Sequence, residues 1–131
     1  MKTGLIYFAT AGIALVVACG ARAAPVKQED FQVPTTANLV ALCGAEPSDP
    51  LYTAARNFCE GFVVGTYRMS VIQEAASESK RKSFCLPTNG PTRNQAIADF
   101  VQWASSRPQT LAIPPTDGIF EYIVTKYSCT R

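Results

Sequence analysis

Four cysteines at positions 43, 59, 85 and 129 sit behind an N-terminal stretch built for export, and this combination constrains the chain most. Lys2 gives a positive start. Leu5–Ala18 is an unbroken run of apolar and small residues, and Ala21-Arg22-Ala23 offers the small-x-small pattern that a signal peptidase cleaves after. The run is shorter than the roughly 20 apolar residues a membrane-spanning helix needs. Residues 1–23 therefore read as a secretory signal, and the remainder as a periplasmic or otherwise extracytoplasmic domain. Val16-Val17-Ala18-Cys19-Gly20 also fits a lipobox, in which Cys19 is lipidated and the protein becomes an anchored lipoprotein. Only that route would bring it to a membrane.

Either route leaves Cys43, Cys59, Cys85 and Cys129 for pairing. An even count in a short exported chain implies disulfides, because the compartment permits them and a small core benefits from them. A zinc site is the alternative, but there is no C-x-x-C pair, and the successive spacings of 16, 26 and 44 lack a zinc knuckle's clustering. Sequence leaves three pairings open. Joining chain neighbours, Cys43 with Cys59 and Cys85 with Cys129, is preferred.

Charge and composition exclude more. The 131 residues contain no histidine, so neither a Ser-His-Asp nor a Cys-His system is available, and most catalytic zinc sites lose their ligands. Without Lys2 and Arg22 the mature region carries ten basic and ten acidic groups. This balance does not favour nucleic acid, whose phosphates need a clustered cationic excess. Glu60, Glu74, Asp99 and Glu121 fall on helical segments, but no pair has a spacing that argues for acid–base work. No enzyme, cofactor or metal is expected.

Beyond the signal, residues 24–34 mix proline and charge and read as a mobile lead, with one helical domain over 35–131. Thr35 or Thr36 can cap a first helix carrying Leu39, Leu42 and Cys43 at helical spacing, ended by Gly44. Asp49-Pro50 is an N-cap followed by proline at the first helical position. The helix it opens runs from about Leu51 to Ser79, with Phe58, Phe62, Val63, Met69 and Ile72 near one face. Gly61 and Gly65 lie one turn apart on it, and each is unfavourable by ~1 kcal/mol relative to alanine. Close approach of another backbone would compensate, first an intrachain helix and second another subunit.

Lys80-Arg81-Lys82 would complement that helix's C-terminal dipole. Phe84-Cys85-Leu86-Pro87 reads as an extended, anchored segment, and Thr88–Pro91 as a turn. Thr92-Arg93-Asn94-Gln95 is a capping box opening a third helix to about Ser106, with Ile97, Phe100, Val101 and Ala104 as its stripe and Trp103 beside them in the core. Arg107–Pro115 contains three prolines and reads as a loop pinned by Leu111 and Ile113. A last helix starts near Thr116 or Asp117, with Ile119, Phe120, Ile123, Val124 and Tyr127 as its apolar residues. The architecture expected is an all-α bundle of three to four helices stapled by two disulfides.

These landmarks resemble the resistance-associated/type VI amidase immunity (Rap/Tai) family. The likeness is carried by Leu39–Cys43, Phe58–Gly65, Phe84–Pro87, Gln95, Pro108 and Tyr127–Cys129, and spans residues 36–129. Ser128 departs from the proline that often precedes the last cysteine, and Met69–Lys82 offers no matching landmark. The resemblance implies an exported, often homodimeric all-α protein that binds and occludes a peptidoglycan amidase effector of a type VI secretion system. The expected contact surface is the Arg107–Pro115 loop, with Arg107, Gln109, Thr110, Leu111 and Ile113, joined by Thr88–Pro91. A preordered loop loses less entropy on binding. The alternative is a small periplasmic disulfide-stapled helical chaperone or envelope stress protein; lacking histidine, such a protein would need carboxylates as its acid sensor.

Overall fold

The apolar positions Leu39, Leu42, Ile97, Phe100, Ala104, Ile119 and Ile123 read from the sequence converge on one core, joined by Ala55, each at most 3% exposed. The computed structural model describes residues 24–79 and 81–129. The export signal and Cys19 lie outside the described residues.

A 3-10 turn, Gln28–Gln32, precedes five helices: α1 (Thr36–Cys43), α2 (Tyr52–Ala76), α3 (Arg93–Ser105), α4 (Pro108–Leu111) and α5 (Pro115–Lys126). No strand occurs among the described residues. The fold is all-α, with α4 adding a single turn to a four-helix bundle. Short α1 packs against α2, α3 and α5.

Both cysteine pairs form as chain neighbours. Cys43–Cys59 ties the end of α1 to α2, and Cys85–Cys129 ties the segment before α3 to the chain end beyond α5. Near the second bridge the backbone is also paired, since Cys85 N donates to the Tyr127 carbonyl at 2.7 Å.

Several expectations change. Residues 24–34 are docked, not mobile: Val26 and Asp30 are buried, Val26 N donates to Asp49 Oδ2 at 2.8 Å, and Phe31 meets Phe58 edge-on. Asp49 does not cap α2. Its Oδ1 accepts from Leu51 N within a turn, and the helix proper begins at Tyr52. At the other end α2 stops at Ala76, so Arg81 and Lys82 lie beyond its terminus and not in its last turn.

Met69 and Ile72 are 54% and 61% exposed, because they fall on the face of α2 turned away from the core, while Ser70 and Val71 between them face it. The buried residue there is Ser70, whose hydroxyl donates to the Thr66 carbonyl. The capping box holds as read: Thr92 Oγ1 accepts from Gln95 N while Thr92 N donates to Gln95 Oε1.

Candidate functional site

The Arg107–Pro115 segment is more ordered than three prolines suggest. Pro108 opens α4 at its first position, where a missing N–H costs nothing. Pro115 does the same for α5 and is buried. Thr110 is 2% exposed, and its hydroxyl donates to Glu121 Oε2 at 2.9 Å. Leu111 and Ile113 are half-buried. Arg107 lies 4.3 Å above the Trp103 ring and donates to the Trp103 carbonyl. Of the five residues singled out, Gln109 alone is exposed, beside Pro108 and Ala112.

The segment is bolted down through Thr36, which is fully buried at the start of α1. Its backbone N–H donates to the Ile113 carbonyl at 2.8 Å, and its hydroxyl reaches the Ile113 and Pro114 carbonyls at 3.0 and 3.2 Å. Gly118 of α5 faces it at close range, and a Cβ built there would stand 2.8 Å from Thr36 Cγ2. Here glycine is required. Sequence reasoning overlooked both Thr36 as a tether and Gly118 as its partner, because their meeting depends on how α5 crosses α1.

Thr88–Pro91 does not join this surface. The turn lies at the N-terminal end of α3 and the 107–115 segment at its C-terminal end, about 20 Å apart for a helix of this length.

The glycine pair behaves differently from expectation. A Cβ at Gly61 or Gly65 meets nothing within 4 Å, so no described part of the chain packs there. Intrachain helix packing is therefore not what compensates for these glycines. Instead they open a shallow notch between Asn57, Glu60, Val64, Arg68 and Arg93. Gly61, Gly65, Met69 and Ile72 follow one another along a single outward ridge at helical spacing.

The carboxylates on the helices have structural partners. Glu60 pairs with Arg93 at 2.9 Å and with Arg56 at 3.5 Å; Arg56 also donates to the Cys43 carbonyl. Glu74 accepts from Ser83 N, and Asp99 pairs with Lys126. Among the described residues no cluster of three or more His, Cys, Asp or Glu could hold a metal ion, and no helix is long and apolar enough to cross a membrane.

A cavity of about 460 Å³ opens between α2, the Leu86–Pro91 turn, α3 and α5. Phe100, Ile119, Tyr122 and Ile123 form its floor, and Arg68 and Arg93 are among its lining residues. Tyr122 is 4% exposed, and its hydroxyl, with almost no accessible surface and no hydrogen bond of good geometry among the described residues, lies beside the Tyr127 side chain. Burial holds that phenol well above the ordinary tyrosine range, and the neighbouring Tyr127 adds to the effect.

Fold and surfaces together define a small disulfide-stapled helical module whose well-fixed features are loops and ridges. The model for Rap1a immunity proteins matches residues 35–129, from the N-cap of α1 to the last cysteine, and the chain belongs to this family. No curated protein and no solved structure matches it.

Proposed function

We propose that this protein is exported and acts as an immunity protein, binding a peptidoglycan amidase effector of a type VI secretion system and occluding its cleft without chemistry of its own. Family membership over residues 35–129 carries this reading. Two disulfides suit an oxidising extracytoplasmic space. The 107–115 segment supports it physically, since Thr36, Thr110 and Pro115 hold that backbone before any partner arrives. A contact made by Pro108, Gln109 and Ala112 then orders little on binding. Residues 24–34 belong with the helical domain in this reading, and residues 1–23 are the removed signal.

The outward ridge of α2 supports a homodimer. Gly61 and Gly65 would admit a partner backbone, and exposed Met69 and Ile72 would give the contact its apolar area. Leucine at both glycines would fill the notch. Light scattering should then report a monomer with unchanged helical circular dichroism, and a wild-type monomer at micromolar concentration would remove the dimer.

The decisive experiment mixes purified protein with the amidase encoded beside its gene. Inhibition should be complete at one immunity chain per enzyme, and Gln109→Arg should weaken it without shifting Tm. An amidase that neither binds nor slows would sink the immunity reading. Exposed Met69 and Ile72 are also what a chaperone would offer a client, so suppression of client aggregation at low pH, with no amidase inhibition, would favour that second reading.

A further inference from the structure

The two bridges that staple this domain differ in how they meet solvent. Cys43 is 4% exposed and Cys59 fully buried, and Arg56 donates to the Cys43 carbonyl beside them. Cys85 is exposed and Cys129 half-buried, and their neighbours Leu86 and Ser128 are exposed as well. Thiol–disulfide exchange needs a thiolate to reach one of the two sulfurs, so access decides which bridge reacts. A buried bridge reacts only through an opening of the fold.

Three contacts hold the two ends of the outer bridge together besides the bond itself. Phe84, next to Cys85, is buried and meets Phe120 of α5 edge-on. Cys85 N donates to the Tyr127 carbonyl at 2.7 Å. Cys129 Sγ stands 3.8 Å from the Lys82 carbonyl, which would accept the proton of a freed thiol. Breaking the S–S bond therefore removes one link among several, and the sulfurs stay near enough to rejoin. Arg81 and Lys82, exposed on the same segment, supply positive charge that favours a thiolate.

We propose that Cys85–Cys129 is a thiol–disulfide exchange site open to dithiols, with Cys85 as the sulfur attacked, while Cys43–Cys59 is inert in the folded protein. A thiolate of the dithiol bonds to Cys85 Sγ. The Cys85–Cys129 bond breaks, and its electron pair leaves on Cys129, which takes up a proton. The dithiol's second sulfur, deprotonated, then displaces Cys85 as a thiolate that is protonated in turn. The protein gains two electrons and the dithiol becomes a disulfide. The bridge is thus a reversible latch on the Leu86–Pro91 turn, which walls one side of the cavity between α2, α3 and α5. The proposal is independent of the immunity reading, and either can fail alone.

Dithiothreitol added to the oxidised, folded protein in the cold tests it, with thiols trapped at intervals by N-ethylmaleimide and located by peptide mass spectrometry. Cys85 and Cys129 should be labelled together, faster than Cys43 and Cys59 by about a hundredfold or more, while circular dichroism stays helical. In concentrated urea, where burial no longer protects either bridge, that advantage should largely vanish. Glutathione, a monothiol, should be trapped as a mixed disulfide on Cys85 once N-ethylmaleimide has blocked Cys129. Equal labelling of all four cysteines in the folded protein overturns the proposal, as does earlier labelling of Cys43 and Cys59. So does helix lost along with the first bridge, or a rate advantage as large in urea. Glutathione carried mainly on Cys129 overturns the assignment of Cys85 as the sulfur attacked.

Discussion

Gly118→Ala isolates the contact that fixes the 107–115 segment. On helix propensity alone the change should stabilise α5 by up to ~1 kcal/mol. The structure reverses the sign. The new methyl would stand 2.8 Å from Thr36 Cγ2 and 3.1 Å from Thr36 Cβ, nearer still to the hydroxyl, and Thr36 is fully buried with no room to turn aside. Overpacking of this kind costs about 1–3 kcal/mol, and displacing the hydroxyl from the Ile113 and Pro114 carbonyls adds roughly 1 kcal/mol. Subtracting the propensity gain leaves a net loss of about 1–3 kcal/mol. For a domain near 100 residues that lowers Tm by roughly 5–20 °C. Thermal melts followed by circular dichroism would measure it, with Gly61→Ala as a control of opposite sign, because nothing lies within 4 Å of a Cβ there. The control should gain up to ~1 kcal/mol in the monomer. A Gly118→Ala protein as stable as wild type would refute the tether.

Other consequences are equally open to measurement. Loop-closure entropy gives about 3 kcal/mol for the 16-residue Cys43–Cys59 separation and about 4 kcal/mol for the 44-residue Cys85–Cys129 separation; denaturant melts of paired Cys→Ser variants should reproduce that order. Because the Tyr122 phenol is raised in the folded state above its unfolded value near 10, its stabilising contribution is complete below pH 10 and is lost as pH rises further. Stability should therefore fall above pH 10, and Tyr122→Phe should flatten the decline; identical profiles would contradict the burial argument. Thr110→Val keeps the shape of a buried side chain but removes the hydrogen bond to Glu121, and should cost about 1 kcal/mol in chemical denaturation.

What could be read from the sequence was whatever local chemistry decides. The capping box at Thr92 and Gln95, the glycine stop at Gly44 and the neighbour pairing of the cysteines depend on short spacings, and each is realised. Apolar periodicity located the core faces of α1 and α3, and on α5 it found Ile119 and Ile123 but included Phe120, which is 41% exposed, and missed the buried Tyr122. It failed on α2, where Met69 and Ile72 fall on the outward ridge with Gly61 and Gly65 and not on the face that Cys59, Val63 and Ser70 turn to the core. Composition misjudged residues 24–34: three apolar groups, Val26, Phe31 and Val33, anchor them to the body, and the rest is hydrogen bonding through Asp30 and Asp49. The cavity and the Thr36–Gly118 contact had no local signature, since each is assembled from segments distant in sequence.

The Thr36 tether also governs how the molecule can come apart. It joins positions 77 and 78 residues apart in the chain, so the 107–115 segment cannot swing free unless α1 also releases it. Amide protons of Thr36 and of the turns flanking α5 should thus exchange together, only through a large cooperative opening. The exposed last residues of α2, Ala75 and Ala76, can meanwhile fray on their own, leaving a molecule with one locked end and one compliant end.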